Sequence, residues 1–256
     1  MLDNAVFFNG VNISLLTAAA LVDHNFNDLP SRELSMSKLA RANKSILTSA
    51  EYKSKEVTVS YHLRGCTRGD TEAVLSTLKS YVRVINAPLI VSQGVIDTTY
   101  NNATLNELNY EWFSNKITVT LVFTVADPIG FQNSNTSMLS TTVTNASYSG
   151  AINNAGSFDA EPTINITVTT VTGGASQSMS LKNELTGQTL KITRTWAAGD
   201  TVSIDVGAKT VTINGAIADF TGQFPVFEPG AGSFGYIDTF TTRSVVLSVV
   251  YKRRYA

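Results

Sequence analysis

Residues 57–82 read VTVSYHLRGCTRGDTEAVLSTLKSYV, and this stretch changes its period halfway along. Val57, Val59, Tyr61 and Leu63 alternate with Thr58, Ser60, His62 and Arg64. That period of two belongs to a strand with one face on a core. After Gly65 the apolar residues respace to Val74, Leu78, Tyr81, Val82 and Ile85, at i, i+4, i+7, i+8 and i+11, which is the face of a helix. Asp70 is placed to cap that helix, and Asn86 with Pro88 to stop it, so one helix near 70–86 is expected to pack across a sheet.

Working outward, Ile117, Val119, Leu121, Phe123 and Val125 repeat the strand pattern against Lys116, Thr118, Thr120 and Thr124. Val6–Phe8 before the Asn9-Gly10 turn, Leu89–Val91 and Leu108–Phe113 are shorter strand candidates. From Asn133 to Gly150 the chain reads NSNTSMLSTTVTNASYSG without one charge, which marks a linker at 133–150 between a first domain, 1–132, and a second, 151–256. In the second, Ile164, Ile166 and Val168, then Leu190 and Ile192, then Val202, Ile204 and Val206, then Val211 and Ile213 alternate with polar residues. Gly173-Gly174, Gly187, Gly207 and Asn214-Gly215 supply turns between them, the spacing of a sandwich or barrel. The last strand, Ser244–Tyr251, is apolar on both faces and is expected to sit centrally. The basic tail Lys252, Arg253, Arg254 reads as a solvated chain end.

Composition narrows the function. The 256 residues are 43% hydrophobic but only 15% charged, and Ser, Thr and Asn supply 77 of them, so the polar surface is mostly uncharged. The net charge of −1 lacks the cationic excess that displaces counterions from phosphates, which argues against tight nucleic-acid binding. The run from Ala5 to Val22 is interrupted by Asn9, Gly10, Asn12, Ser14 and Thr17, so no membrane insertion is expected, and with Arg32 the first basic residue no secretory leader is expected either. Cys66 stands alone and forms no internal disulfide. The six N-x-S/T sequons, at Asn12, Asn43, Asn102, Asn135, Asn145 and Asn165, follow from the composition.

No constellation for chemistry emerges, and neither a catalytic residue, a cofactor site nor a metal site is assigned. His24 and His62 are the only histidines, and His62 with Cys66 would give zinc two ligands of the three a catalytic site needs. Asp200 and Asp205 lie five apart on a strand and point to opposite faces, which does not suit a glycosidase pair; Asp200 after Gly199 reads as a turn residue. Gly230, Gly232 and Gly235 match G-x-G-x-x-G but open no helix, so they read as a flexible turn. A lectin-like carbohydrate-binding module that presents Trp196, Phe224 and Phe227 to a glycan is the alternative function.

The phrases of the chain resemble the distal tail protein (Dit) family of long non-contractile-tailed bacteriophages. They are FFNG (7–10), LPSRELSMSKLARANKS (29–45), VTVSYHLRG (57–65) leading into GDTEAVLSTLKSYV (69–82), and ADPIGF (126–131). The second half adds NAGSFDAEPTINI (154–166), KNELTGQTLKI (182–192), AGDTVSIDV (198–206), KTVTING (209–215), TGQFPVFEPG (221–230) and VVYKRRYA (249–256). The resemblance implies a mainly β protein: an N-terminal β-sandwich with one packed helix, tail-tube-like and ring-forming, followed by a C-terminal galectin-like or carbohydrate-module-like β-sandwich. It implies a non-enzymatic virion protein of the tail tip, assembled in the host cytoplasm. Its expected partners are itself in a homo-hexamer, the tail tube protein, and the tail-tip and receptor-binding proteins, with DNA passing through the channel without specific binding. Segments Leu29–Ser49 and Gly94–Leu105 are then the expected reaching arms of the ring. Galectins hold sugar with a group that includes His, and the second half has none, so sugar binding by that route is not expected.

Overall fold

The alternating residues of the opening stretch find each other in space. In the computed structural model, which describes residues 5–14, 20–25, 30–38, 45–64, 67–93, 96–113 and 116–255, Val57, Val59, Tyr61 and Leu63 lie directly opposite Phe123, Leu121, Val119 and Ile117. All eight are buried, which is what a period of two produces when one face of a sheet is covered. The chain divides into two compact units, one running to Asn133 and the other Ser134–Tyr255.

The first unit contains β1 (Ala5–Phe8), β2 (Val11–Asn12), β3 (Ala20–His24), β4 (Arg32–Lys38), β5 (Ser45–Tyr52), β6 (Lys55–Arg64), helix α1 (Arg68–Tyr81), β7 (Ala87–Gln93), β8 (Ile96–Phe113), β9 (Lys116–Val125) and β10 (Gly130–Gln132). Its main sheet runs β2-β1-β7-β8-β9-β6-β3, all antiparallel, with β10 also beside β8. Asn9 and Gly10 have φ of 50° and 78°, the pair of positive values a type I′ turn requires between β1 and β2.

Strand β8 is eighteen residues long and serves two wings. Its first half pairs with β7, Gln93↔Ile96 through Ala87↔Ala103, and its second half with β9, Ala103↔Val125 through Phe113↔Lys116. A bulge between Leu105 and Glu107 bends the strand where the two wings meet. Val6, Phe8, Leu89 and Val91 from one wing share a core with Val57, Tyr61, Leu121 and Phe123 from the other, and Phe8 meets Phe123 at 5.1 Å. The sandwich of the first unit is thus one sheet folded about β8.

Helix α1 lays Thr71, Leu75 and Leu78 into this core, at the i, i+4, i+7 spacing of one face. Its ends differ from the sequence expectation. The cap is Thr67: its hydroxyl accepts from the Asp70 N–H at 3.3 Å, while the Asp70 carboxylate accepts from the Thr67 N–H at 3.1 Å, a reciprocal capping box with Asp70 at its third position. The Thr67 hydroxyl and N–H also hold the Asp70 carboxyl below its usual range. At the other end the helix stops at Tyr81, not at 86, and Val82 and Ile85 are exposed. The apolar period outran the helix because Val84 N–H bonds back to Tyr81 and the chain turns toward β7.

Among the described residues, strands β4 and β5 pair only with each other, Arg32↔Tyr52 to Lys38↔Ser45, and the base of this hairpin is tied by Lys53 to Glu33 at 3.3 Å. Of the two segments expected as reaching arms, 29–49 covers β4 and the first part of β5, whereas the described residues of 94–105 are the first half of β8 inside the sheet. There β8 is flanked by β7 and β10.

The second unit is a sandwich of two antiparallel sheets. With β11 (Thr136–Val143), β12 (Ser147–Asn154), β13 (Thr163–Thr172), β14 (Gln177–Asn183), β15 (Thr189–Arg194), β16 (Thr201–Asp205), β17 (Thr210–Ile213), β18 (Ala216–Ile217), β19 (Thr221–Gly222), β20 (Gly230–Asp238) and β21 (Thr242–Tyr251), the orders are β11-β21-β13-β16-β17-β18 and β12-β20-β14-β15-β19. Ile164, Val202, Leu247 and Val249 from the first sheet close on Met179, Leu181, Phe234 and Tyr236 from the second.

The expected linker 133–150 is corrected here: most of it is β11 and the start of β12. Thr and Ser lack charge but satisfy a ladder through their backbones, and β-branched Thr suits a pleated strand. Val143 reaches the core opposite Val245. Strand β21 lies between β11 and β13, so it is central by pairing, yet only one face is covered: Val245, Leu247, Val249 and Tyr251 are buried while Val246 is 41% exposed. The basic tail is not simply solvated, because Arg254 pairs with Glu161 at 3.0 Å and its carbonyl accepts from the Ser157 N–H.

Two carboxylates fasten the corners of this sandwich. The fully buried Asp238 side chain accepts from the Tyr236 hydroxyl at 2.9 Å, the Phe240 N–H at 2.8 Å and Arg243 Nε at 2.8 Å. Asp200, at the turn its sequence context implied, accepts from the Ala197 N–H at 2.9 Å and the Asn214 amide at 2.8 Å, with Arg194 at 4.0 Å. Burial pushes the Asp200 carboxyl up, but the Ala197 and Asn214 hydrogen bonds and the Arg194 charge outweigh it and hold the group below its usual value.

Asp238→Ala strands the mostly buried Arg243 guanidinium, so we expect a loss of about 3–5 kcal/mol in the second unit's stability, read from denaturant unfolding followed by Trp196 fluorescence. A lowered folded-state value means that the contribution of Asp200 is present above the unfolded value, near ~3.9, and disappears as pH falls through the folded value. Stability should therefore decline from about pH 4 downward, and Asp200→Asn should flatten that decline; an unchanged slope would show that the carboxylate is not coupled to folding.

Candidate assembly surfaces

The residues that sequence reading weighed for chemistry are dispersed. His62 lies on the outward face of β6, and its Nδ1 is 3.0 Å from the Thr118 hydroxyl on β9. His24 sits opposite Val59 on the edge strand β3, and Cys66 lies outside the described residues. Among the described residues there is no group of three or more His, Cys, Asp or Glu that could hold a metal ion. Among the same residues no helix is long and apolar enough to cross a membrane.

The glycines 230, 232 and 235 form neither a flexible turn nor a helix entry; they belong to strand β20. Their small size admits neighbours: a Cβ on Gly235 would meet the Glu184 carboxylate at 3.0 Å, and one on Gly232 would meet Ile152 at 3.4 Å. Glu184 in turn accepts from Ser233 at 2.5 Å and Ser149 at 2.7 Å, and these hydroxyls hold its carboxyl below the ordinary range. The outcome is a polar node on an outer face that also carries Ser147, Ala151 and Ser178 together with Lys182, Lys191 and the exposed Ile237.

The glycan-presenting aromatics are placed inward. Trp196 is 6% exposed, donates to the Gln177 carbonyl at 3.1 Å and packs on Phe240, and Phe227 packs on Phe234. Phe224 is partly buried against the core and against Phe220. Trp196 and Phe227 cannot stack on a sugar, and the lectin-like alternative loses the residues on which it rested. They were recruited by the sandwich core because large aromatics bury the most apolar surface.

Exposed aromatic surface lies instead on the far half of β8, which sequence reading took as a short ordinary strand. Tyr110 and Trp112 stand opposite Val119 and Ile117, on the core-facing side of the sheet, yet they are 44% and 52% exposed. Lys79 of α1 reaches over the Tyr110 ring at 5.9 Å. The pairing of β7 with β8 ends at Ala87↔Ala103, so among the described residues Thr104–Phe113 has a neighbouring strand only on the β9 side. The opposite edge offers a row of backbone N–H and C=O groups flanked by the exposed carboxylates of Glu107 and Glu111. The alternation of Leu108, Tyr110 and Trp112 with Asn109 and Glu111 was legible, but not that β7 stops short of them.

Comparison with known proteins locates this arrangement. Residues 155–255 match the family model described as siphovirus-type tail component, C-terminal domain. The crystal structure of SPP1 Dit, described as a paradigm of the hub adsorption apparatus in phages infecting Gram-positive bacteria, is similar over 99% of both chains with a TM-score of 0.68 at 16% identity. A chain of the phage P2 baseplate in its activated conformation with calcium is similar over 98% of this chain and 97% of that one, with a TM-score of 0.41 at 8% identity. No curated protein matches by sequence. Over residues 155–255 the chain thus matches the C-terminal domain of siphovirus-type tail components, and as a whole it has the fold of the SPP1 Dit structure.

Proposed function

We propose that the protein is the structural hub at the distal end of a siphovirus tail, where six copies close into a ring that joins the tail tube protein to the tail-tip and receptor-binding proteins. The observation that carries this reading is the likeness of the whole chain to a Dit protein from end to end, together with the tail-component match over 155–255. Residues of the first unit line the ring in this reading, and DNA passes through the channel without specific binding. The chain is assigned no catalytic residue, cofactor or metal, and its place is the virion, assembled in the host cytoplasm.

Physical features of the chain support the assignment. Identical subunits joined head to tail must close into a ring or grow into a filament, and closure needs two different patches on each copy. A net charge of −1 suits a passage for DNA, because a strongly basic wall would hold a polymer that carries one charge per ~1.7 Å. The Ser- and Thr-rich outer strand faces supply hydrogen bonds at protein contacts without the desolvation cost of buried charge.

A reconstruction of the tail tip should show this chain in six copies around an open axial channel. Density for it in threefold arrangement only, or as single copies away from the tube axis, would overturn the hub assignment. The Glu107→Lys and Glu111→Lys changes should leave the melting of the isolated chain within ~0.5 kcal/mol of wild type, since both are exposed, so that any defect they cause is one of assembly.

A further inference from the structure

Two Asn-Gly pairs occur in the chain, and they fold alike. Asn9 and Gly10 have φ of 50° and 78°, Asn214 and Gly215 of 52° and 81°, so each pair makes a two-residue type I′ turn. Each turn leads into a two-residue strand at a sheet edge, β2 or β18, and all four residues are exposed. A Cβ on Gly10 or Gly215 would have no heavy atom within 4 Å, so space is open around both. The asparagine side chains differ. The Asn214 amide donates to the buried Asp200 carboxylate at 2.8 Å, and its oxygen accepts from the Thr201 N–H at 2.9 Å and hydroxyl at 3.3 Å. The Asn9 side chain has no hydrogen bond among the described residues; its backbone N–H alone is engaged, by the Pro88 carbonyl at 3.0 Å.

We propose that Asn9-Gly10 is a self-modification site, where the asparagine deamidates through a cyclic imide, and that Asp200 and Thr201 keep Asn214-Gly215 unreactive in the same type of turn. The Gly10 nitrogen gives its proton to hydroxide and bonds to Asn9 Cγ, while the side-chain nitrogen takes a proton from water and leaves as ammonia. Water then opens the imide at either carbonyl, giving aspartate or, with the backbone rerouted through Cγ, isoaspartate. Overall one water is consumed, one ammonia is released, and the chain gains one negative charge. Attack needs an asparagine side chain free to bring Cγ against the next nitrogen, with no Cβ crowding that nitrogen. The turn must open for this, and β2 resists little, because among the described residues it pairs only with β1. At Asn214 the same motion must first break the bonds to Asp200 and Thr201. Isoaspartate lengthens the backbone by one methylene inside a two-residue turn. The residue before it, Phe8, is fully buried and packs on Tyr81 and Phe123, so the lesion reaches the core of the first unit. The site is a slow, irreversible clock on that core, and ring assembly plays no part in it.

The test ages the folded full chain in mildly alkaline buffer and follows both sites by peptide mass spectrometry, with electron-transfer fragmentation to separate isoaspartate from aspartate. We expect Asn9 to convert at least about tenfold faster than Asn214, a barrier difference of about 1.4 kcal/mol or more. In concentrated urea the two sites should react within about twofold of each other, because only the fold distinguishes them. Equal rates in the folded chain, or no conversion of Asn9 there while both sites react in urea, overturn the proposal. The effect on the core is read from thermal unfolding of the isoaspartyl chain against Asn9→Asp, which adds the same charge at unchanged backbone length. The isoaspartyl chain should melt at lower temperature and Asn9→Asp with wild type; an isoaspartyl chain that melts with wild type shows that the lesion stops at the turn and overturns the clock.

Discussion

A strand has hydrogen-bonding groups on both edges, and a sheet is complete only when every edge is paired, covered or left to water. In the first unit that requirement falls on β8. Its near half completes β7, its far half completes β9, and the bulge between Leu105 and Glu107 lets one strand face both ways. The core follows from this arrangement, because the bend brings Phe8 of one wing against Phe123 of the other and leaves the gap that Leu75 and Leu78 of α1 fill. Among the described residues one edge of the far half of β8 has no neighbouring strand, because a single strand cannot be bordered by β7 along its whole length and still turn between wings.

The second unit meets the same requirement by stacking two sheets, and it spends few charges in doing so. The carboxylates that it does bury sit at corners, Asp238 paired with Arg243 and Asp200 near the more exposed Arg194, where each also accepts N–H bonds from the turn it closes. Apolar residues such as Trp196 and Phe227 then serve the core instead of a ligand.

Periodicity was the legible part of the sequence. The alternation of Val57 to Leu63 and of Ile117 to Val125, the turn at Asn9-Gly10 and the strands of the second half all follow from local spacing, and the phrases at 154–166 and 182–192 led to the family. What failed locally was decided by partners far away in the chain. The uncharged run 133–150 read as a linker because nothing within it shows that Leu247 and Val245 will lie opposite Thr141 and Val143. The glycines of β20 read as a turn because the Glu184 and Ile152 side chains that need their space are distant in sequence. Asp70 took the role of helix cap on paper because Thr67, three residues earlier, also fits, and only the reciprocal bonds distinguish the cap from its partner. The open edge beside Tyr110 and Trp112 was invisible for the same reason: it is defined by where β7 stops.

The position of β21 has a consequence for how the protein is made. This strand is the last long one in the chain, yet it is inserted between β11 and β13, and Val245, Leu247 and Val249 complete the core between them. During synthesis β1–β10 have emerged before β11 is made, whereas the second unit holds β11 and β13 apart, each with a bare flank, until the final residues leave the ribosome. At roughly 5–20 residues per second that interval lasts on the order of ten seconds, with the valine- and threonine-rich flanks of both strands available to other nascent chains. The low hydrophobicity of the outward residues Thr142, Asn165 and Thr167 then acts as protection during translation, before it serves any purpose in the finished fold.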